Sequence, residues 1–180
     1  MGQGENQLKA REARLKKLAA RIDTLAEKDA RVVKNAIETA ALRRTAAGEL
    51  HAICADFVSR VNRLLTRDEV ALDPSEFSEA AFRDDGANLI QIGVRGRVLQ
   101  LQFEATGELL STENFRVPYT LEGSVRAFNQ ELLAKDLIEE QLIFYTVEKG
   151  RSLWRFFDAR TYRSGPLDQE YLIGLMEQVI

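Results

Sequence analysis

The sequence predicts an α+β protein. A long N-terminal helix or helical hairpin comes first. A mainly antiparallel sheet of about five strands with two further helices follows, in the order α-β-β-β-α-β-β-α. Three observations carry this reading. From Gln7 to Leu65 there is no proline and one glycine, Gly48, while apolar side chains recur at helical spacing. The stretch LIQIGVRGRVLQLQFEATGE, residues 89–108, alternates apolar and polar side chains on both sides of Gly96. A second strand pair flanks Lys149-Gly150. A helical run followed by a strand-rich run is the pattern of an α+β chain.

In the helical segment, one heptad position holds Leu8, Leu15, Ile22, Asp29, Ala36, Arg43, Leu50, Phe57 and Leu64. The position three later holds Arg11, Leu18, Leu25, Val32, Thr39, Ala46, Ile53 and Arg60. From Leu8 to Val32 this is a narrow coiled-coil seam, interrupted by Asp29. Beyond it Val33, Ile37, Ala40, Ala47, Cys54, Val61 and Leu65 widen the stripe toward the 3.6-residue period of a globular helix. The segment is either one helix or a hairpin broken near Glu27–Arg31 or Ala47–Gly48. A lone helix cannot bury its own stripe. The expectation is therefore a homodimer formed through Leu8, Leu15, Leu18, Ile22, Leu25 and Val32. The half from Leu50 to Leu65 should pack on the sheet domain. The domain assignment is 1–67, helical and dimerising, and 68–180, α+β.

Residues 67–88 form the boundary. Asp73-Pro74 ends any helix, Glu76–Phe82 gives a weak signal for one helical turn or a strand, and Asp84-Asp85-Gly86 marks a turn. In the first hairpin Ile90, Ile92, Val94, Leu99, Leu101 and Phe103 share the covered face. Gln91, Gln100, Gln102 and Glu104 take the wet face. Thr106-Gly107 predicts the next turn, and Leu109–Tyr119 a third strand with Phe115, Val117 and Tyr119 in phase. Thr120 is then placed as the cap of a helix burying Leu121, Val125, Phe128, Leu132 and Leu133. The second hairpin is apolar on both faces, so both are expected to be covered. Ser164-Gly165-Pro166 should open a last helix with Tyr171, Leu172, Leu175, Met176 and Val179 inward. This element order is similar to that of small dimeric secretion chaperones, in topology and not in motif.

Composition bounds the function. With 45% hydrophobic and 29% charged residues the chain has enough apolar mass for a core, which excludes wholesale disorder. No apolar run approaches the roughly eighteen residues of a membrane span, and the N-terminus lacks a signal peptide's apolar core. One cysteine, Cys54, cannot form an internal disulfide, so a cytoplasmic setting is expected. Charge is uneven. Residues 1–67 hold 14 Lys or Arg against 8 Asp or Glu, a balance of +6, and residues 68–180 hold 11 against 20, a balance of −9.

No catalytic, cofactor-binding or metal-binding motif stands out. His51 and Cys54 share a helical face but are two ligands short of a metal site. Asp84-Asp85 and Glu139-Glu140 are adjacent acids, which point apart rather than converge on one proton. GVRGRV turns between strands and lacks the helix N-terminus of a phosphate loop. Lys9, Arg11, Arg14, Lys16, Lys17 and Arg21 form a basic cluster suited to non-specific phosphate contact. No aromatic side chain interleaves with it for base stacking. Phe144, Tyr145, Trp154, Phe156, Phe157 and Tyr162 form a core or a pocket. Trp154, Arg155, Tyr162 and Arg163 are the candidate partner or ligand surface. The expected function is a non-enzymatic homodimeric interaction module, adaptor- or chaperone-like, binding itself and a protein partner. The alternatives are a nucleic-acid-binding protein using the basic helix and a small-molecule-binding α+β domain. No cofactor and no membrane contact is expected.

Overall fold

The computed structural model describes residues 2–110, 117–129, 136–148 and 150–180, with side chains described for 7–107, 117–129, 140–148 and 150–180. The first element is a single α-helix, α1, Gly2–Leu64, unbroken at Glu27–Arg31 and at Gly48. Among the described residues, seven strands and one further α-helix follow. They are β1 (Val70–Asp73), β2 (Asn88–Val94), β3 (Arg97–Leu110), β4 (Tyr119–Asn129), β5 (Asp136–Glu148), β6 (Arg151–Asp158), β7 (Arg163–Pro166) and α2 (Gln169–Val179). The strands form one antiparallel sheet in sequence order, and a single 3₁₀ turn at Glu79–Ala81 lies between β1 and β2. The α+β class holds. Among the described residues, the count of about five strands and two further helices is corrected to seven strands and one further helix.

The chain divides into two compact units, Met1–Ala40 and Ala41–Ile180. The first is helix throughout its described residues. Leu8, Leu15, Leu18, Ile22, Leu25, Val32, Val33 and Ile37 are each more than half exposed there. Short-range ion pairs, Lys16–Glu12 at 3.3 Å and Lys34–Glu38 at 3.8 Å, lie along its surface.

In the second unit, the C-terminal part of α1 and all of α2 bury one face of the sheet. Ala46, Ala47, Leu50, Cys54, Phe57 and Val58 from α1 meet Leu172, Leu175, Met176 and Val179 from α2 in one core with the sheet. The sheet supplies Ile90, Ile92, Leu99, Leu101, Phe103, Leu121, Val125, Ile143, Tyr145 and Trp154. Leu64 and Leu65 at the end of the helix stay exposed. Polar ties fix the layers. The Asn62 amide donates to the Val70 carbonyl at 2.8 Å and accepts from the Val70 N–H at 3.0 Å, completing the edge of β1. Gln169 donates to the Ile53 carbonyl at 2.9 Å, giving a helix-backbone acceptor a partner from α2.

The first hairpin follows the sequence pattern. Ile90 faces Leu101 and Ile92 faces Leu99, with Gln91 opposite Gln100 on the other side. Arg95 and Gly96 turn it with φ of 46° and 77°, the two positive values that a two-residue turn of type I′ needs. Gly150, with φ 81°, serves the second hairpin, where Glu148 faces Arg151.

Four readings are corrected. Thr106-Gly107 is no turn, because β3 runs on to Leu110 and absorbs the glycine in a register shift between Ala105 and Leu110. Residues 109–119 are not one strand: Leu109 and Leu110 end β3, Tyr119 begins β4, and Phe115 lies outside the described residues. Tyr119–Asn129 is strand rather than helix. Leu121, Val125 and Ala127 are buried at even spacing, with Gly123 between them facing Phe103. Leu132 and Leu133, placed on that helix, lie outside the described residues. Ser164-Gly165-Pro166 belongs to β7, and the cap of α2 is Asp168, whose carboxylate accepts the Tyr171 N–H at 3.1 Å. With a strand where a middle helix was expected, the topological likeness to small secretion chaperones lapses.

Candidate functional site: the open face of the sheet

Alternation puts every second side chain of β3 to β6 on the face that the helices do not cover. Strand register aligns two rows there. Gln102 faces Ser124, Ser124 faces Leu142 and Leu142 faces Phe157. Glu104 faces Glu122, Glu122 faces Phe144 and Phe144 faces Arg155. All of these but Arg155 line a groove of about 510 Å³. Its apolar floor is a small cluster of its own, Tyr119, Phe144 and Phe157, apart from the main core. The Tyr119 and Phe144 rings lie 4.7 Å apart. Tyr162 meets Phe157 edge-on at 6.4 Å.

Gly123 gives the groove its shape. It pairs with Phe103, and a Cβ there would run into the Gln102 carbonyl oxygen. A glycine at such a site lets a sheet bend without splitting.

The rim is acidic. Glu104, Glu122 and Glu140 share the groove with one guanidinium, Arg126, which binds Glu140 at 3.1 Å. Hydrogen bonding from Ser124, then from Arg126, holds the Glu140 carboxyl below the usual carboxylate range. Burial, with Glu122 beside it as hydrogen-bond acceptor, pushes the Tyr119 hydroxyl above its ordinary value. A carboxylate held ionised is a poor proton donor near neutrality, and a phenol held protonated is a poor base. Glu104 directly opposite Glu122 is a like-charge cross-strand pair, an arrangement that weakens a sheet. A cation bridging the two would relieve it.

The site residues expected from sequence fall elsewhere or apart. Trp154 is 2% exposed and belongs to the main core, donating its indole N–H to the Ala46 carbonyl at 2.7 Å. It is therefore no surface residue. Arg155, next along β6, points to the opposite face as strand geometry requires. Tyr162 and Arg163 are exposed. The aromatic set divides: Tyr145 and Trp154 lie under the helices, while Phe144 and Phe157 lie on the open face. The second hairpin's open face is accordingly only partly covered.

Lys9, Arg11, Arg14, Lys16, Lys17 and Arg21 are exposed on α1. At 100° per residue they spread over about 220° of its circumference, so they do not form one stripe facing a phosphate ridge. Arg43, counted with the basic residues of the sequence, turns inward. Its side chain is 12% exposed, and it donates to the Thr120 hydroxyl at 2.9 Å, to Asp84 at 3.3 Å and to the Thr106 carbonyl. Thr120 thus receives a guanidinium rather than capping a helix.

His51 and Cys54 are structural. The His51 ring nitrogen Nε2 meets the Pro74 carbonyl at 2.8 Å. Burial pushes the Cys54 thiol up to about 12, so it stays protonated and unreactive near neutrality. Among the described residues no cluster of His, Cys, Asp and Glu can hold a metal ion. Among them, too, no helix is long and apolar enough to cross a membrane.

Glu122, Ser124 and Tyr119 were missed as members of a site by sequence reasoning, and Glu104 was read only as a wet-face residue. The one sequence signal was the alternation of β3, which named Gln102 and Glu104 but could not supply β4. Comparison with protein-family models, with curated proteins and with solved structures returned no match.

Proposed function

We propose that this protein is a non-catalytic, homodimeric interaction module of the cytosol. Its helical region pairs with a second copy, and its α+β domain takes a polypeptide partner on the open sheet face. One observation carries the reading: eight large apolar side chains of the first unit, from Leu8 to Ile37, each stand more than half in water. Contiguous apolar surface of that kind marks an interaction face, because burying it releases about 25 cal/mol per Å². Their seven-residue repeat from Leu8 to Val32 fits another helix better than any flat surface.

Sedimentation velocity tests the dimer. The full chain is expected to run as a dimer at micromolar concentration. Leu18→Lys with Leu25→Lys is expected to give a monomer whose circular dichroism still shows a folded sheet. A monomeric wild type at 100-micromolar order, far above common cellular levels, sinks the reading.

The groove favours a basic, amphipathic segment as partner, since it offers aromatic floor and net negative rim. A fluorescein-labelled decapeptide of alternating Lys and Leu is the probe. Binding is expected at low salt, weakened by Glu104→Lys and by Glu122→Lys, and absent for the Glu/Leu counterpart. Equal affinity for the basic and acidic peptides would remove charge complementarity from the account. The basic α1 cluster offers a nucleic-acid reading, and the spread of its cations around the helix argues against it.

A further inference from the structure

We infer that the two copies of α1 pair antiparallel, centred on Ala20, with Arg11 of each protomer bonded across the seam to Asp29 of its partner. This rests on the dimer proposed above and deepens it by fixing direction and register. Two residues spoil the seam. Along it every position is apolar except Arg11 and Asp29. Both lie on the same continuous helix and both side chains are exposed in the isolated chain.

In a parallel, in-register pair each seam residue meets its own copy. Arg11 would then face Arg11, and Asp29 would face Asp29, in the part of the interface that loses most water. Like charges dehydrated together have a desolvation cost and no compensating attraction. In an antiparallel pair the layers combine the first seam position with the second. One register makes residue numbers in each layer add to 40. Leu8 then meets Val32, Leu15 meets Leu25 and Leu18 meets Ile22, all apolar. The remaining layer, in the same register and with no further choice, joins Arg11 to Asp29. The pattern is symmetric about Ala20, as a two-fold interface demands of a self-complementary surface.

The wider charge distribution agrees. Residues 7–21 carry six Lys or Arg and one Glu, a balance of +5, while residues 22–38 carry three Lys or Arg and four Asp or Glu, a balance of −1. Antiparallel pairing lays the strongly basic half beside the near-neutral half. Parallel pairing would lay basic on basic. Opposed helix dipoles add in the same direction. On one flank Ala19 meets Ala19, which lets the helices approach. The other flank counts against the register, because it sets Arg21 near Arg21 and Arg14 near Lys28. Those groups are long and stay in water, where salt screens them over about 8 Å. The dehydrated seam contacts decide the direction. The whole overlap, Leu8 to Val32, lies within the first compact unit, Met1–Ala40.

A charge-swap cycle in the full-length chain tests this. Dimer dissociation constants are measured by sedimentation equilibrium for wild type, Arg11→Glu, Asp29→Arg and the double variant. Each single reversal is expected to weaken the dimer at least tenfold, since it places like charges in two layers. The double variant should return to within about threefold of wild type. Parallel pairing predicts no such rescue, because in the double variant each reversed charge still faces its own copy. Disulfide trapping gives an independent reading. A mixture of Leu8→Cys and Val32→Cys chains should yield only the mixed crosslink, with Cys54 shielded in the core. Self-crosslinked Leu8→Cys chains, or a double variant without rescue, overturn the antiparallel register while leaving the dimer standing. A monomeric wild type removes both.

Discussion

Gly123→Ala is expected to destabilise the α+β unit by about 3 kcal/mol or more, the upper range for one added methyl group. The reason is position, not backbone freedom. The new Cβ collides with the Gln102 carbonyl oxygen and stands 2.7 Å from the Phe103 Cα and 2.8 Å from its Cβ. The Gln102 carbonyl and the Phe103 Cα are backbone of the neighbouring strand, so no rotamer change makes room. Either β3 and β4 part, breaking pairs such as Gln102–Ser124, or the sheet flattens and pulls Phe103 from the core. Both outcomes also distort the groove, since Gly123 lies in its wall. Urea unfolding followed by the fluorescence of Trp154, the sole tryptophan, measures the change. The midpoint should fall steeply, and Gly123→Val should fail to fold. By comparison Gly107→Ala is expected to change stability by less than about 1 kcal/mol, because nothing lies within 4 Å of a Cβ there. If the two alanine variants unfold at the same urea concentration, the crowding at Gly123 does not demand a glycine.

The same glycine explains what was legible in the sequence and what was not. The hairpin of β2 and β3 was readable because its alternation is unbroken and Gly96 marks the turn. In β4 the inward series is Leu121, Gly123, Val125 and Ala127, and a glycine and an alanine hide a period of two. Leu121, Val125, Phe128 and Leu132 then mimic helical spacing of four, three and four. The polar partners Glu122, Ser124 and Arg126 vanished into that supposed helix, and half the groove with them. β1 escaped notice because four residues, Val70–Asp73, give too short a pattern, and its edge is completed by Asn62, eight residues before Val70. The helix α2 was visible in its apolar stripe. Its start was misplaced because glycine and proline in Ser164-Gly165-Pro166 signal a helix entry as readily as a short edge strand. α1 was legible in extent but not in continuity, because neither the charged run at 27–31 nor one glycine, Gly48, forces or forbids a break. The site residues were less so. Trp154 and Arg155 are neighbours in sequence and face opposite ways in a strand, but which of the two faces the helices cover is set by tertiary packing and not by the alternation.

Trp154→Ala is expected to cost about 3–5 kcal/mol, the range for removing a large aromatic side chain from a packed interior. Trp154 links elements that are remote in sequence. Its ring meets Phe103 of β3 edge-on at 5.3 Å and Tyr145 of β5 at 5.6 Å. Its N–H reaches the Ala46 carbonyl of α1, 108 residues earlier in the chain. Two effects are thus combined, and Trp154→Phe separates them. Phenylalanine keeps most of the apolar volume and both ring contacts but cannot donate. The Ala46 carbonyl still accepts its own helical hydrogen bond, so losing the indole donor leaves no buried group wholly unpaired. The phenylalanine variant should therefore lose only about 1–2 kcal/mol, from one hydrogen bond and a small void. For a domain whose total stability is on the order of 5–15 kcal/mol, the alanine variant approaches the unfolding limit and the phenylalanine variant does not. Urea unfolding monitored by far-ultraviolet circular dichroism reads both, as neither retains the tryptophan signal. Equal losses for the two would assign the contribution to the hydrogen bond. A negligible loss for alanine would mean that α1 and the sheet are held together without this side chain, contrary to the packing described.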